Sequence, residues 1–481
     1  MIDPLWIMLI GMIVVIGGIL LLRLNAFLAL IAGAIIVGLL TSTEALRHYG
    51  AGKNMSDQEI AMLTEQSVGQ RVAGEFGRTC VKIGILIAMA SIIGKSLLES
   101  GAAERIVRFA LRLFGEKRAP FAFLSSGFTL GIPVYFDTVF YLMIPLAKAM
   151  GLRFPKNYAL YVLAIVAGGT MAHSLIPPTP GPLFVAGELS VSLGLMIIGG
   201  MVVGIMTVSA GFLYAIWANK RWPIPLRDSV DISKAELETL AKKDDKDLPD
   251  IWISLLPIIL PIILIAGKTL YFTFIANSTI ALLPWLQSAL STFFNEFGDP
   301  NIALSISAAI ALGTFVWLKR SNKQEMISLV QHALSSGGLI ILITSAGGAF
   351  GGMLQQTCIG HRIQELANAY HIAILPLAFF VTALVRTAQG SATVAMITAI
   401  GILGGLAGQG QLDFHPLYLA LAIGCGSKPI PWMNDSGFWV IGRMSGMTES
   451  ETLKLSSGMM TLMGVVGLVA VMILANLFPL T

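Results

Sequence analysis

The sequence predicts an all-α polytopic membrane protein, with about ten transmembrane helices plus two re-entrant hairpins in two inverted-topology repeats. Three observations predict it. The 481 residues are 55% hydrophobic and only 12% charged, whereas soluble domains carry roughly 25% charged residues. Apolar runs of about 20 residues, the length that crosses a bilayer, recur along the whole chain. Two of these runs are broken by proline- and glycine-rich polar blocks at corresponding places in each half. Irregular backbone at membrane depth is tolerated only where protein buries it or where it lines a polar cavity.

Spans are expected at 5–22, 26–42, 82–98, 158–185, 192–218, 251–274, 300–318, 337–354, 417–441 and 457–478. The first, Leu5 to Leu22, has no basic residue before it and no small-residue cleavage site. It therefore reads as a retained span and not as a signal peptide. Apolar segments 119–147 and 374–408 contain mid-segment breaks, which suits re-entrant hairpins. The stretch 219–250 carries mixed charges, among them Asp228, Lys234, Glu236, Lys242, Lys243 and Asp247. It reads as a solvated linker between an N-terminal half, 1–218, and a C-terminal half, 251–481.

Basic residues set the orientation. Arg105, Arg108, Arg112, Lys117 and Arg118 form one cluster; Lys148, Arg153 and Lys156 form a second. Lys220, Arg221 and Arg227 open the linker, and Lys319, Arg320 and Lys323 sit in a short connection. All fall on the cytoplasmic side if ten spans cross, both broken segments re-enter and both termini are periplasmic. The net charge of +4 is modest and lies in loops, which argues for orientation in a membrane and against nucleic acid.

The halves align with a shift of 257 residues, from Gly94 to Gly351 and from Arg105 to Arg362. Gly131 precedes His173 by 42 residues, as Arg386 precedes Lys428. Each half thus reads span, hairpin, broken span. The Arg105–Arg118 loop is cytoplasmic and its counterpart near Arg362 is outside, which makes the repeat an inverted one.

Four polar blocks could carry chemistry. The first hairpin holds Gly131-Ile132-Pro133-Val134-Tyr135-Phe136-Asp137-Thr138. Asp137 is an ionisable residue at membrane depth, a functional candidate by default, or else the cap of a half-helix. The first broken helix holds His173, Ser174 and the run Pro177-Pro178-Thr179-Pro180-Gly181-Pro182. His173 is either a proton carrier or a neutral residue fixing the break, and Thr179 offers a hydroxyl. The second hairpin holds Arg386-Thr387-Ala388-Gln389-Gly390-Ser391-Ala392-Thr393. A guanidinium binds carboxylate bidentately, and Gly390, Ser391 and Thr393 suit a tip whose half-helix N-terminus favours an anion. The alternative for Arg386 is an interfacial snorkel or an internal ion pair. The second broken helix holds Lys428, Asn434, Asp435 and Ser436. Asp435 either pairs with Lys428 or Arg386 or carries a coupling proton.

Cys80, Cys358 and Cys425 have no metal-ligand spacing and suggest no disulfide framework. The motifs GxxxxGK[ST], HExxH, GxSxG and CxxC are absent, and Glu296 stands where a GxGD motif ending at Asp299 needs its first glycine. No enzyme activity, cofactor or metal is expected.

At these blocks the chain resembles the gluconate permease (GntP) family of sugar-acid:proton symporters, within the ion transporter superfamily. The matching residues are Ser100-Gly101-Ala102-Ala103-Glu104-Arg105-Ile106, His173 with Pro177 to Pro182, Gly390-Ser391-Ala392-Thr393-Val394-Ala395, Gly426-Ser427 and Asn434-Asp435-Ser436-Gly437-Phe438-Trp439. The resemblance spans essentially the whole chain. It implies an inner-membrane importer of aldonates such as gluconate, driven by protons, built as two inverted repeats and forming a homodimer. Many members carry a glutamate-valine pair where this chain has Asp137-Thr138, and Lys428 with Pro429-Ile430-Pro431 also departs from the common form. Arg386 resembles gluconate-type and not D-serine-type members.

The combined reading is import of a sugar-acid anion by proton symport. Arg386 and Lys428 would bind the carboxylate. Ser391, Thr393, Thr179, Asn434, Ser436 and Gly390 would complete the substrate site, and Asp137, Asp435 or His173 would carry the proton. The alternatives are a sodium-coupled carboxylate transporter and a passive organic-anion channel.

Overall fold

The computed structural model describes residues 3–227, 248–275, 284–320, 323–359, 362, 373–407 and 412–480. Most of the charged linker, 228–247, lies outside the described residues, as do His361 and Ile363 of the repeat alignment. Among the described residues all regular structure is helical.

The N-terminal half contains α1 (Pro4–Leu20), α2 (Ala26–Leu40), α3 (Thr43–Gly52), α4 (Asp57–Glu65), α5 (Val68–Glu99), α6 (Ala102–Phe114), α7 (Ala119–Leu130), α8 (Phe136–Arg153), α9 (Tyr158–Leu175), α10 (Pro180–Glu188) and α11 (Leu193–Arg221). The C-terminal half contains α12 (Ile251–Leu270), α13 (Pro284–Phe297), α14 (Pro300–Lys319), α15 (Lys323–Gln355), α16 (Ile374–Gln389), α17 (Ala392–Ala407), α18 (Pro416–Gly426), α19 (Ser436–Ser445) and α20 (Glu449–Leu477). A π-turn interrupts α20 at Leu453–Ser457.

Seven of these helical stretches are long and apolar enough to cross a membrane, and the bent pair α2–α3 would make an eighth. Three of the ten expected spans fall outside the seven, each for its own reason. Helix α1 has 17 residues, about 25 Å at 1.5 Å per residue, a little short of the hydrocarbon core. Helix α2 turns by 101° into α3. The expected span 417–441 is divided between α18 and α19. Exposed apolar side chains such as Trp6, Leu39, Leu213, Trp252 and Trp317 cover the outside of the bundle, as suits a surface solvated by lipid.

Each break has a local cause. Pro177 and Pro178 lack the backbone donors that would continue α9. Pro180 then stands at the first position of α10, where its missing N–H costs nothing. Pro429 and Pro431 likewise follow α18, and Asp435 caps α19 by accepting the Gly437 N–H at 2.8 Å. Between α7 and α8, Pro133 sits in a five-residue turn. Between α16 and α17, Gly390 has φ +86°, the left-handed terminus of a helix. A β-carbon on Gly390 would also collide with the Asn434 carbonyl.

Close backbone contacts hold these broken elements in the interior. A β-carbon on Gly168 of α9 would strike the Leu124 carbonyl of α7, and one on Gly127 would lie 3.1 Å from the Ile165 carbonyl. In the other half, a β-carbon on Gly351 of α15 would stand 2.8 Å from the Gly401 Cα of α17. Small residues let membrane helices approach this closely. The α9–α10 stretch is the most enclosed span, with 89% of its apolar window inside the protein. Buried Arg71 of α5 bridges the halves: it donates to Gln356 Oε1 at 2.9 Å and to the Gly38 carbonyl at 3.1 Å.

Candidate functional site

The breaks between α7 and α8 and between α16 and α17 meet those between α9 and α10 and between α18 and α19. Helix α18 packs on α16 and α9, α19 on α8, and α10 on α17. Between them lies a cavity of about 320 Å³, within the roughly 300–1,000 Å³ typical of small-molecule sites. Its wall includes Asp137 and Tyr135 from the first break and Thr170 and His173 from α9. The α16–α17 stretch contributes Arg386, Gly390, Ser391 and Thr393, and the α18–α19 stretch contributes Lys428, Asp435 and Ser436. Ser456, Ser457 and Met460 of α20 close one side.

Arg386 is the most heavily bonded of these groups. Its side chain is 3% exposed. Nε donates to the Ser427 carbonyl at 3.1 Å, Nη1 to the Gly390 carbonyl and Nη2 to Asp435 Oδ2. One guanidinium therefore ties the end of its own helix, the break after α18 and the cap of α19. Asp435 accepts from Arg386 with one oxygen and caps α19 with the other, so its ionised form has both oxygens engaged.

Lys428 is buried, and its Nζ donates to the Thr170 carbonyl of α9 at 2.7 Å. This bond crosses from the second half to the first. Asp137 faces the same space with a different set of neighbours. A β-carbon at Gly437 would stand 3.3 Å from Asp435 Oδ1 and 3.8 Å from Asp137 Oδ1. The two carboxylates are thus no farther apart than those distances combined. Among the described residues Asp137 has no ion-pair partner. The His173 ring meets the Tyr135 ring edge-on with centroids 6.0 Å apart, and its buried Nδ1 has no hydrogen-bond partner among the described residues.

Arg386, Lys428, Asp137, Asp435 and the His173 imidazole thus line one cavity. No cluster of three or more His, Cys, Asp or Glu residues able to hold a metal occurs among the described residues. Such an arrangement suits a small hydrophilic anion: fixed positive groups, a carboxylate without a counter-ion among the described residues, and several hydroxyls.

Comparison with known proteins bears on what class of molecule carries this cavity. Residues 3–478 match the model of the GntP family permease. The chain belongs to the GntP permease family. It is 31% identical over 430 residues to an uncharacterized permease of Haemophilus influenzae, covering 89% of this chain and 83% of that protein. It is 32% identical over 406 residues to the gluconate permease of Pseudomonas aeruginosa, covering 83% and 86%. The crystal structure of the YdaH transporter of Alcanivorax borkumensis superposes with a TM-score of 0.59 at 14% identity, covering 85% of this chain and 88% of that one. That likeness concerns the fold. The protein is therefore a multi-pass membrane permease and not an enzyme.

Nine of the eleven residues singled out from sequence line the permease cavity: Arg386, Lys428, Ser391, Thr393, Ser436, Gly390, Asp137, Asp435 and His173. Thr179 and Asn434 do not. The Thr179 hydroxyl donates back to the Ile176 carbonyl at 2.7 Å. Asn434 Nδ2 donates to the Thr387 and Ala388 carbonyls at 2.9 and 3.1 Å, joined by Trp432 Nε1 on Thr387 at 2.7 Å. These side chains satisfy carbonyls that helix ends leave without partners. Sequence reasoning missed the Thr170 carbonyl, Tyr135, Ser456 and Ser457 on the cavity wall.

Proposed function

We propose that this permease imports a sugar-acid monoanion of the gluconate type together with a proton. One observation carries the reading. Arg386 and Lys428 share a cavity with Asp137, a carboxylate that has no cation against it among the described residues. The name of the Pseudomonas aeruginosa relative supplies the substrate class.

In this reading Arg386 and Lys428 attract the substrate carboxylate, and a guanidinium offers it two parallel N–H bonds. Ser391, Thr393 and Ser436 meet substrate hydroxyls. Gly390 keeps the tip open, while Thr179 and Asn434 hold the frame that presents the site. Asp137 takes the coupling proton. Asp435 anchors Arg386, and His173 relays or orients through its buried Nδ1.

The architecture we propose has ten spans and two re-entrant hairpins in inverted repeats, with halves 1–218 and 251–481 joined by a cytoplasmic linker. Both termini are periplasmic, and the permease is a homodimer in the inner membrane. The equivalence of Gly94 and Gly351 supports the repeat, because each lies against the hairpin of its own half. A β-carbon on Gly94 would stand 3.3 Å from the Pro133 carbonyl, as one on Gly351 approaches Gly401.

Uptake by purified permease in proteoliposomes tests the function. Labelled gluconate should accumulate against its gradient when a proton gradient is imposed, and an uncoupler should abolish accumulation. Accumulation driven by sodium alone and unaffected by the uncoupler would replace proton coupling with sodium coupling. Equilibration without uphill accumulation would make the protein a channel.

A further inference from the structure

The π-turn at Leu453–Ser457 is an irregularity that the proposed site does not use. Such a turn places one extra residue in an otherwise regular helix, and π-bulges are frequent at functional sites. Here it lies against α9, and Ser456 and Ser457 reach the cavity wall from it, with Met460 on the helix that follows.

The two serines differ. Ser457 donates to the Pro431 carbonyl, so its hydroxyl holds the proline run that breaks the second helix. Ser456 is 2% exposed. The contact its hydroxyl makes is with the Met460 thioether, at 4.0 Å, and sulfur is a weak acceptor. A buried helical serine commonly returns its proton to the carbonyl four residues back. Ser91, Ser307 and Ser445 do so here, at 2.8, 2.9 and 2.5 Å. Ser456 does not. Two neighbouring hydroxyls on the wall are engaged: Thr170 donates to the Val166 carbonyl at 2.7 Å, and Tyr135 shares a bond with Ser91 at 3.1 Å. Ser456 on the cavity wall therefore carries a buried hydroxyl whose donor is held only by a thioether and whose oxygen accepts no hydrogen bond among the described residues.

We infer that Ser456 is a specificity-determining residue that hydrogen-bonds a hydroxyl of the substrate's carbon chain. The inference rests on the sugar-acid reading and deepens it. The charged groups recognise the carboxylate end, which every carboxylic acid has. Ser456 recognises a hydroxyl, which separates polyhydroxy acids from plain ones. A site built to bond a substrate hydroxyl rejects the analogue without it, because its own polar group is then left unpaired.

The test compares purified wild type, Ser456→Ala and Ser457→Ala in binding gluconate and each of its monodeoxy analogues, by thermal shift and by competition against labelled gluconate uptake. Ser456→Ala should weaken gluconate about tenfold, or about 1.4 kcal/mol. For one deoxy analogue the wild type should already be weaker by a similar factor, and Ser456→Ala should weaken it no further, as a coupled pair requires. Ser457→Ala should weaken all analogues alike, because it loosens the proline run. Equal losses across the series for Ser456→Ala, or no loss on gluconate, would overturn the inference. Ser456→Cys, close in volume and a poor donor, serves if the alanine variant fails to reach the membrane. A wild type that binds no sugar acid would overturn the substrate reading itself, which the Ser456 variants alone do not.

Discussion

Arg386→Lys separates the guanidinium fork from its charge. Arg386 serves three acceptors from one planar group: the Ser427 carbonyl, the Gly390 carbonyl and Asp435. A lysine ammonium is a single point of donors on a flexible stem. From the same position on α16 it reaches one of these acceptors and leaves two without donors. Ser427 and Gly390 are both buried, so water does not replace the lost bonds. Each unsatisfied buried acceptor costs roughly 1–3 kcal/mol, so two cost roughly 2–6 kcal/mol. The lower figure alone is about 30-fold in an equilibrium constant. Part of this falls on the ordering of the hairpin tip and part on the carboxylate, which loses its planar partner. Initial gluconate uptake by Arg386→Lys, measured in proteoliposomes at equal protein content, should fall at least about 30-fold. The variant should still insert, because the positive charge opposite Asp435 remains. Uptake close to wild type would refute the reasoning and take Arg386 out of the substrate site.

Asp137→Asn should lose accumulation driven by a proton gradient while retaining much of its gluconate exchange; equal survival of both activities would leave Asp137 a structural residue. Asn434→Ala removes the donor to the Thr387 and Ala388 carbonyls, and should cost roughly 1–3 kcal/mol of stability. The loss is read as a lower unfolding temperature in detergent, with uptake of all sugar acids reduced by a common factor. With one proton carried per monoanion, an imposed membrane potential without a pH gradient should drive no accumulation, and potential-driven uptake would refute that stoichiometry.

The charged members of the site were legible because a charge in apolar sequence is conspicuous and expensive. Arg386, Lys428, Asp137, Asp435 and His173 all line the cavity. The breaks were legible because proline and glycine leave the same mark wherever a helix stops. What polarity did not reveal was direction. Thr179 and Asn434 look like ligands in a string of letters, yet a broken helix also frees carbonyls, and these side chains serve them. The Thr170 carbonyl that receives Lys428 has no sequence signal, since every residue has a carbonyl. The π-turn was invisible too, because Leu453–Ser457 reads as ordinary helix flanking an apolar run. Helix α6 was readable and was passed over: Ile106, Val107 and Ala110 are its buried stripe, at the spacing of an amphipathic helix.

The division of labour between the two carboxylates follows from what each already holds. Asp435 has one oxygen on Arg386 and the other on the Gly437 N–H. Protonating it would release the guanidinium and uncap α19 together, and the hairpin tip would lose its tie to the second broken helix. Asp137 holds no cation among the described residues, so protonating it disturbs no ion pair. Counted with Asp137 and Asp435 deprotonated, Arg386 and Lys428 charged and His173 neutral, the site balances two cations against two anions. A substrate carboxylate alone would leave one uncompensated negative charge among apolar helices, where a single charge costs several kcal/mol. A proton on Asp137 removes that excess. On the proposed reading the second half supplies the positive groups that would hold the anion and the first half the acid that would make the loaded site neutral, while Lys428 on the Thr170 carbonyl ties the two.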